Sequence, residues 1–464
     1  MSSAAQQNAM MLASVLGVDE STASELLDRT VLVTCEPGWK SIWAREVKEL
    51  LGRTINVSDD LIDSKPDLEL IIGAVHPRSC APRLFADIGS QSAVISLEYT
   101  DRLRGEAHGL YGAAAACAAA AAALHMAIGA AELPVVRLPL QLDFAQLGVP
   151  QGALERQIEL RDAVMAGAGA VAHGFLWAAR HLDIRGELAI TDPKVVQAGI
   201  LNRCLYLNAE DVDRDKAVVI AKRAQPDFPA LRLQPHVTDF KGYVKTLGRP
   251  PETVFVTVDS RRARRSIQLE APHRIIDAST TDVRAVVVHS NVLPTNQACL
   301  ACIYRHVPDE NARERAIAEG LGIELSDVAA GFINAEVAQR IARAIPAIKD
   351  PSTIVNKSFD SLFRALCAQQ ALTTPEGRQV LAPFAFVSAW AGVLMAVEML
   401  RSIERIASTN YWAIDPWNVP FSRGRTLRPR HPECQFCSKP EAELIIRGIW
   451  GAPSGITRYE QSSP

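Results

Sequence analysis

The stretch Ala163-Val164-Met165-Ala166-Gly167-Ala168-Gly169-Ala170-Val171-Ala172 decides the fold. A short apolar strand, Ala163–Ala166, ends in a glycine-spaced turn and passes into a helical pattern that runs to about His181. Gly167 permits the tight turn, and Gly169 lets an anion approach the backbone. The first helical turn beyond them offers N–H groups that have no partner within the helix. Ala172 stands at the third small position. A second strand, Glu187–Thr191, ends at Asp192, 25 residues after Gly167. A carboxylate there can accept hydrogen bonds from a ribose. Taken alone, this loop equally suits an NAD-binding dehydrogenase or a glycine-rich turn in any α/β protein.

Downstream, Leu231–Val237, Thr253–Val258, His273–Ile276 and Arg284–His289 read as strands separated by helical patterns. That alternation predicts a doubly wound, Rossmann-like, largely parallel sheet covered on both faces. A strongly apolar helix, Ala382–Ile403, and an edge strand within Asn410–Asn418 follow. Upstream, residues 1–30 read as helical, with Thr22 and Glu25 at capping-box spacing. Thr30–Thr34, helix Lys40–Leu51 and Leu68–Ala74 then repeat the strand–helix–strand grammar. The turn between them, Cys35-Glu36-Pro37-Gly38, lacks the G-x-G spacing. Ser92–Leu97 reads as a further strand. The alanine run 112–131 is interrupted by His125 and predicts a buried helix rather than a membrane span. Residues 132–150 read as a linker, and those after 452 as a loose tail.

The whole chain has 464 residues, 48% hydrophobic and 22% charged, with a net charge of -3. That suits two or three globular domains and gives no charge argument for nucleic-acid or membrane partners. No basic region precedes an apolar run at the N-terminus, so the expected location is the cytoplasm. Four of the nine cysteines form two C-x-x-C pairs, Cys299/Cys302 and Cys434/Cys437. Two such knuckles make a tetrahedral four-thiolate site, expected to hold a structural zinc ion because no coordination position stays open.

After Asp192 come Gly199-Ile200-Leu201-Asn202-Arg203 and Asp211-Val212-Asp213-Arg214-Asp215-Lys216-Ala217. Here the chain resembles the ThiF/MoeB/ubiquitin-activating enzyme family, over about Ala163 to Cys437. The resemblance implies ATP-dependent adenylation of a carboxylate. Asp192 would bind the ribose, and Asn202, Arg203 and Lys216 would contact the phosphates. Fixed cations there would stabilise charge growing at the α-phosphate. Asp259, at the end of its strand and followed by Arg261-Arg262-Ala263-Arg264, would hold Mg2+; Asp277 looks like the family's next strand end. Three positions depart from the family pattern: Lys194 where a second acid is common, Cys204 where a glutamine often stands, and Ala172 for glycine.

In members that pass the product onward, a nucleophilic cysteine lies between the first cysteine pair and the late apolar helix. Cys367 alone lies there, with Arg364 three residues earlier to favour thiolate if the segment is helical. A buried helical cysteine is the competing reading, with Phe363 and Leu366 forming the apolar face. The resemblance implies three parts: 1–150, a catalytically silent adenylation-like domain; 151–450, the active domain, with the cysteine segment at about 300–380; and 451–464, a flexible tail. It implies a pseudo-dimer within one chain or a homodimer, with a ubiquitin-like protein and a conjugating enzyme as partners. The organisation is similar to the activating enzymes of bacterial ubiquitin-like conjugation operons linked to antiviral defence. Two alternatives stay open: a sulfur-carrier or peptide adenylyltransferase without a catalytic cysteine, and a non-catalytic scaffold.

Overall fold

The computed structural model describes residues 3–60, 65–99, 102–150, 152–281, 283–305, 310–329, 333–355, 357, 359, 362–363, 366, 384–404, 409–418 and 424–451. In the first part, α1 (Ala4–Leu16) and α2 (Glu20–Leu27) precede β1 (Thr30–Cys35), α3 (Lys40–Leu51), β2 (Asn56–Ser58), β3 (Leu68–Ile72), β4 (Arg83–Ile88), β5 (Ser92–Ser96), α4 (Gly109–Ile128) and β6 (Leu140–Asp143). The second part runs β7 (Ile158–Ala166), α5 (Ala170–Ala179), β8 (Ile184–Thr191), α6 (Lys216–Ala224), β9 (Leu231–His236), α7 (Phe240–Leu247), β10 (Thr253–Val256), α8 (Arg261–Leu269), β11 (Arg274–Thr281) and β12 (Ala285–Val292). It continues through α9 (Leu300–Ile303), α10 (Glu310–Leu321), α11 (Leu325–Ala329), α12 (Ala335–Ala344), α13 (Ala385–Ile403), β13 (Tyr411–Ile414), β14 (Arg425–Thr426) and α14 (Pro440–Trp450).

The two sheets repeat one another. The first has the order β2-β1-β3-β4-β5-β6, and the second β14-β13-β12-β11-β10-β7-β8-β9. Read outward from β1 and β7, β2 matches β8, β3 matches β10, β4 matches β11, and β5 and β6 match β12 and β13. In both sheets the strands up to β4 or β11 are parallel, and those beyond are antiparallel. In both, a long apolar helix lies between the last two matched strands: α4 in the first and α13 in the second.

That helix pair makes the junction. Nearly all of α4 and α13 is buried, and one apolar core runs from β1 and β3 through α3, α4, α5 and α13 into β7, β8 and β11. By length and composition alone, both helices could cross a membrane; here they are the centre of the fold. Burying an aliphatic side chain contributes roughly 1.5–3 kcal/mol, so this shared core ties the halves firmly. α5 and α13 touch backbone to backbone. A Cβ on Gly392 would fall 1.9 Å from the carbonyl carbon of Gly174, so any side chain there would push apart the helix that starts at the glycine loop.

Several expectations need correction. The stretch 132–150 is not a plain linker: Leu140 and Leu142 are buried, and β6 pairs with β5. The helix near residue 20 is capped by Asp19, whose carboxylate accepts from the Thr22 amide at 2.9 Å, so the Thr22/Glu25 box is not used. β13 is not an edge strand, because β14 pairs along its far side. Between α9 and α13, Ile317, Leu321, Ile341, Phe359, Phe363 and Leu366 belong to a separate small core.

Candidate nucleotide and metal sites

The glycine loop leaves β7 at the carboxyl ends of the parallel strands. Gly167 has φ 102°, and its Cα faces Thr257, where a Cβ would lie 3.1 Å from the hydroxyl. The Thr257 hydroxyl lies within bonding distance of the Ala166 and Gly167 carbonyls, at 3.0 and 2.8 Å. Gly169 is the N-cap of α5 and carries no capping side chain. The free end of that helix therefore points its N–H groups at whatever enters the loop.

Asp192 braces this loop. One carboxylate oxygen accepts from the Ala168 amide at 2.8 Å, the other from the Lys194 amide at 2.8 Å. Lys194 in turn accepts, through its carbonyl, the amide of Lys216, the first residue of α6. The segment that carries Asn202 and Arg203 lies between β8 and α6. Cys204, buried there, senses all of these charges. Burial pushes its thiol up, Arg203, Lys216 and Arg53 pull it back, and Asp192 pushes it further. Arg203, Lys216, Asp192 and the first half's Arg53 thus all lie within electrostatic reach of this thiol.

Asn202 is 1% exposed. Its amide nitrogen donates to the Asn8 side-chain oxygen at 2.8 Å, and its oxygen accepts from Arg203 at 2.8 Å. In this arrangement it links α1 to Arg203. Asp259 is exposed just past β10, a hard oxygen donor at the mouth of the loop. Asp277 is fully buried and faces Arg264 at 3.2 Å and the Tyr304 hydroxyl at 2.7 Å. Burial raises its pKa, against the pull of Arg264 and Tyr304, so it belongs to an internal ion pair behind the site. His173, in the first turn of α5, is wholly buried. Its Nδ1 accepts from the Tyr206 amide at 3.2 Å, and burial, helped by Arg53 and Lys216, pushes its pKa down to about 3.

The four cysteines of the two C-x-x-C pairs come together as the sequence predicts. Cys299 lies 3.8 Å from both Cys302 and Cys434, and Cys302 lies 3.4 Å from Cys437. All four sulfurs lie within 4.8 Å of one another and are buried. A tetrahedral zinc–thiolate site has sulfurs about 3.8 Å apart, from bonds of about 2.3 Å, so the set fits such an ion. His289, pushed down to about 4 by burial, meets the Ala298 carbonyl at 2.9 Å and steadies the first knuckle. Cys367 and Arg364 lie outside the described residues.

A cavity of about 180 Å³ opens at the opposite ends of the strands, between Glu159, Arg161, Glu252, Arg274 and Met399. It is remote from the glycine loop, which starts at the other end of β7.

A model of the ThiF family matches residues 141–436, more than half of the chain. The chain belongs to the ThiF family. Residues 1–150 match a model of the E1 N-terminal domain, so this ThiF protein carries a second family signature ahead of its glycine loop. It is 27% identical over 354 residues to the uncharacterised protein y4jF of Sinorhizobium fredii, covering 72% of this chain and 67% of that one. Among solved structures it is similar to E. coli MccB. The complex of MccB with MccA-N7isoASN has 14% identity and TM-score 0.37, covering 64% of this chain and 70% of that one. The complex with AMPCPP and MccA has 13% identity and TM-score 0.37, covering 68% and 73%.

Sequence reading found the loop, its carboxylate and the cysteine pairs. The resemblance also implies an arginine lent by the first half, without saying which; Arg53 and Asn8 reach the site from 148 and 194 residues away in sequence, and Arg53 holds carbonyls there. No local pattern marks either one.

Proposed function

We propose that this ThiF-type adenylyltransferase activates the C-terminus of a ubiquitin-like protein in the cytoplasm. The observation that carries the reading is the pairing of an E1 N-terminal domain match, over 1–150, with a ThiF match over 141–436, on two sheets of one topology. In the proposed reaction the modifier's terminal carboxylate attacks the α-phosphorus of ATP. The bond to the β-phosphate bridge breaks, and diphosphate leaves. The α5 N-terminus, Arg203 and Lys216 stabilise the charge that develops on the phosphates, and Asp192 holds the ribose while bracing the loop. Asp259 supplies a carboxylate for Mg2+, which would screen the triphosphate. The substrate enters as a thin extended tail, because a bulky terminus would keep its carboxylate from the phosphorus. The four-cysteine cluster holds zinc as a structural ion, with no open position for chemistry.

In the second step the Cys367 thiolate attacks the acyl carbon, AMP leaves, and a thioester forms. A conjugating-enzyme cysteine then takes the acyl group. The operon setting with a modifier and a conjugating enzyme, linked to antiviral defence, belongs to this same proposal.

ATP–diphosphate exchange with candidate modifier proteins tests the first step, with exchange expected only with the true acceptor. A reductant-sensitive adduct of enzyme and modifier, lost in Cys367→Ala while exchange persists, is expected for the second. An adduct that survives Cys367→Ala removes that residue from the mechanism. Exchange with no adduct at all points instead to a sulfur-carrier or peptide adenylyltransferase. No exchange with any acceptor would leave a scaffold.

A further inference from the structure

The first half does more than pack against the second. Arg53 follows α3, and its guanidinium donates to three carbonyls of one segment: Leu201 at 2.8 Å, Leu207 at 2.9 Å and Leu205 at 2.6 Å. That segment contains Asn202 and Arg203. Asn8 of α1 closes the circuit: its amide nitrogen donates to the Arg53 carbonyl at 2.7 Å, and its oxygen accepts from Asn202 at 2.8 Å. Asn202 accepts from Arg203 at 2.8 Å, and Arg203 also reaches the Gly199 carbonyl at 3.1 Å. A closed ring of hydrogen bonds therefore runs from the first half through the segment and back.

We infer that Arg53 is a positioning residue for nucleotide activation, which holds the 201–207 segment and with it Arg203, tied to Asn202 and the Gly199 carbonyl. Only a planar fork collects three carbonyls in this way; a lysine ammonium keeps the charge but not the geometry. Losing the fork leaves carbonyls of a turn-rich segment without their donor, so the segment is free to shift. The inference rests on the adenylation reading, since it assigns Arg203 to the phosphates.

Arg53→Lys and Arg53→Gln are measured in the full chain, first by direct binding of a fluorescent ATP analogue and then by diphosphate exchange over a range of ATP. Weaker nucleotide binding and a KM for ATP raised on the order of tenfold are expected for Arg53→Gln, as for a misplaced contact. Arg53→Lys should fall between Arg53→Gln and wild type. Added guanidinium at millimolar level should partly restore Arg53→Gln. Arg180→Gln is the control: it breaks the Arg180–Glu46 ion pair at the same junction, 3.0 Å long, and touches the 201–207 segment only through the charge that Arg180 presents to Tyr206, with none of the carbonyl contacts that Arg53 makes. It should lower the unfolding temperature without moving KM. If Arg53→Gln binds and exchanges as wild type does, or if Arg180→Gln raises KM equally, the inference is overturned. If wild type binds the analogue but exchanges with no acceptor, the adenylation reading fails, while the binding comparison still decides the role of Arg53.

Discussion

The ends of β1 and β7 show what the same topology becomes with different residues. In register, Cys35 pairs with Ile72 as Ala166 pairs with Val256, so Glu36 stands where Gly167 stands. Gly167 opens a loop that leads into a helix start with no capping side chain. Glu36 instead places a carboxylate there, and Lys40, 3% exposed, joins it at 3.0 Å and Asp87 at 2.6 Å. Arg102 pairs with Glu36, and the Leu103 amide donates to Asp87 at 2.7 Å. What remains is a void of about 10 Å³ beside Gly73, Asp87, Tyr99 and Arg102. One half leaves its loop helix without a capping side chain. The other fills the matching position with its own carboxylate, whose charge Lys40 and Arg102 already meet; a site closed to phosphate is the expected consequence.

The strongest way to break this contrast is Gly167→Val. A β-branched residue at φ 102° is strained and meets Thr257 at the loop. Binding of an ATP analogue should fall at least about a hundredfold, while Glu36→Ala should leave binding and its stoichiometry of one per chain unchanged. A second nucleotide bound by Glu36→Ala, or by wild type, would contradict the closed-site reading.

Next in size is metal removal. Only the second half holds a four-cysteine cluster among the described residues. Chelation, or Cys302→Ser, should release one zinc ion per chain and destabilise that half by several kcal/mol. Elemental analysis and calorimetry check this; a metal-free chain with an unchanged unfolding profile would remove zinc from the account.

Lys40→Met sharpens the comparison from the other side. It leaves Asp87 buried without its cation, while the half-buried Glu36 keeps Arg102, a loss of about 3–5 kcal/mol for the broken internal pair. The double change Lys40→Met with Glu36→Gln should recover part of it, read from denaturant midpoints.

The smallest effect is in pH. His173 folds neutral, with a pKa lowered to about 3 from 6.5. The unfolded chain therefore takes up a proton between those values and the folded one does not. Stability contributed by keeping it neutral is full above pH 6.5 and is lost as pH falls toward 3. Glu36 adds to the same slope further down. The Ala74 amide first, and then Lys40, hold it below 4.5, so its share persists above 4.5 and disappears as pH falls through its lowered value. His173→Gln should flatten the fall between pH 6.5 and 5, measured by thermal unfolding in that range.

Legibility followed the range of each interaction. β7, β8, β10 and the glycine loop were readable because strand patterning and turn chemistry act over a few residues. β7 nonetheless begins at Ile158, ahead of the expected Ala163, because a register shift between Leu160 and Ala163 hides its alternation. β4 was missed: Arg83-Leu84-Phe85-Ala86-Asp87-Ile88 mixes charge into a buried strand, and Asp87 is tolerated only because Lys40 meets it. β6 sits among prolines and gave no periodic signal. The repeated topology was invisible as sequence repetition, since pattern and not identity carries it. Asp277 shows the converse limit. Read as the end of its strand it resembles Asp259, yet β11 runs on to Thr281 and the structure spends Asp277 on Arg264.

The cysteine cluster joins residues 135 apart, Cys299 to Cys434, and so makes a lasso of everything between, including the small separate core and α13. For a flexible tether, doubling the length of such a lasso costs only about 0.6 kcal/mol of closure entropy. The cinch at its neck thus marks a span where evolution can splice in or trim whole modules without disturbing the sheet.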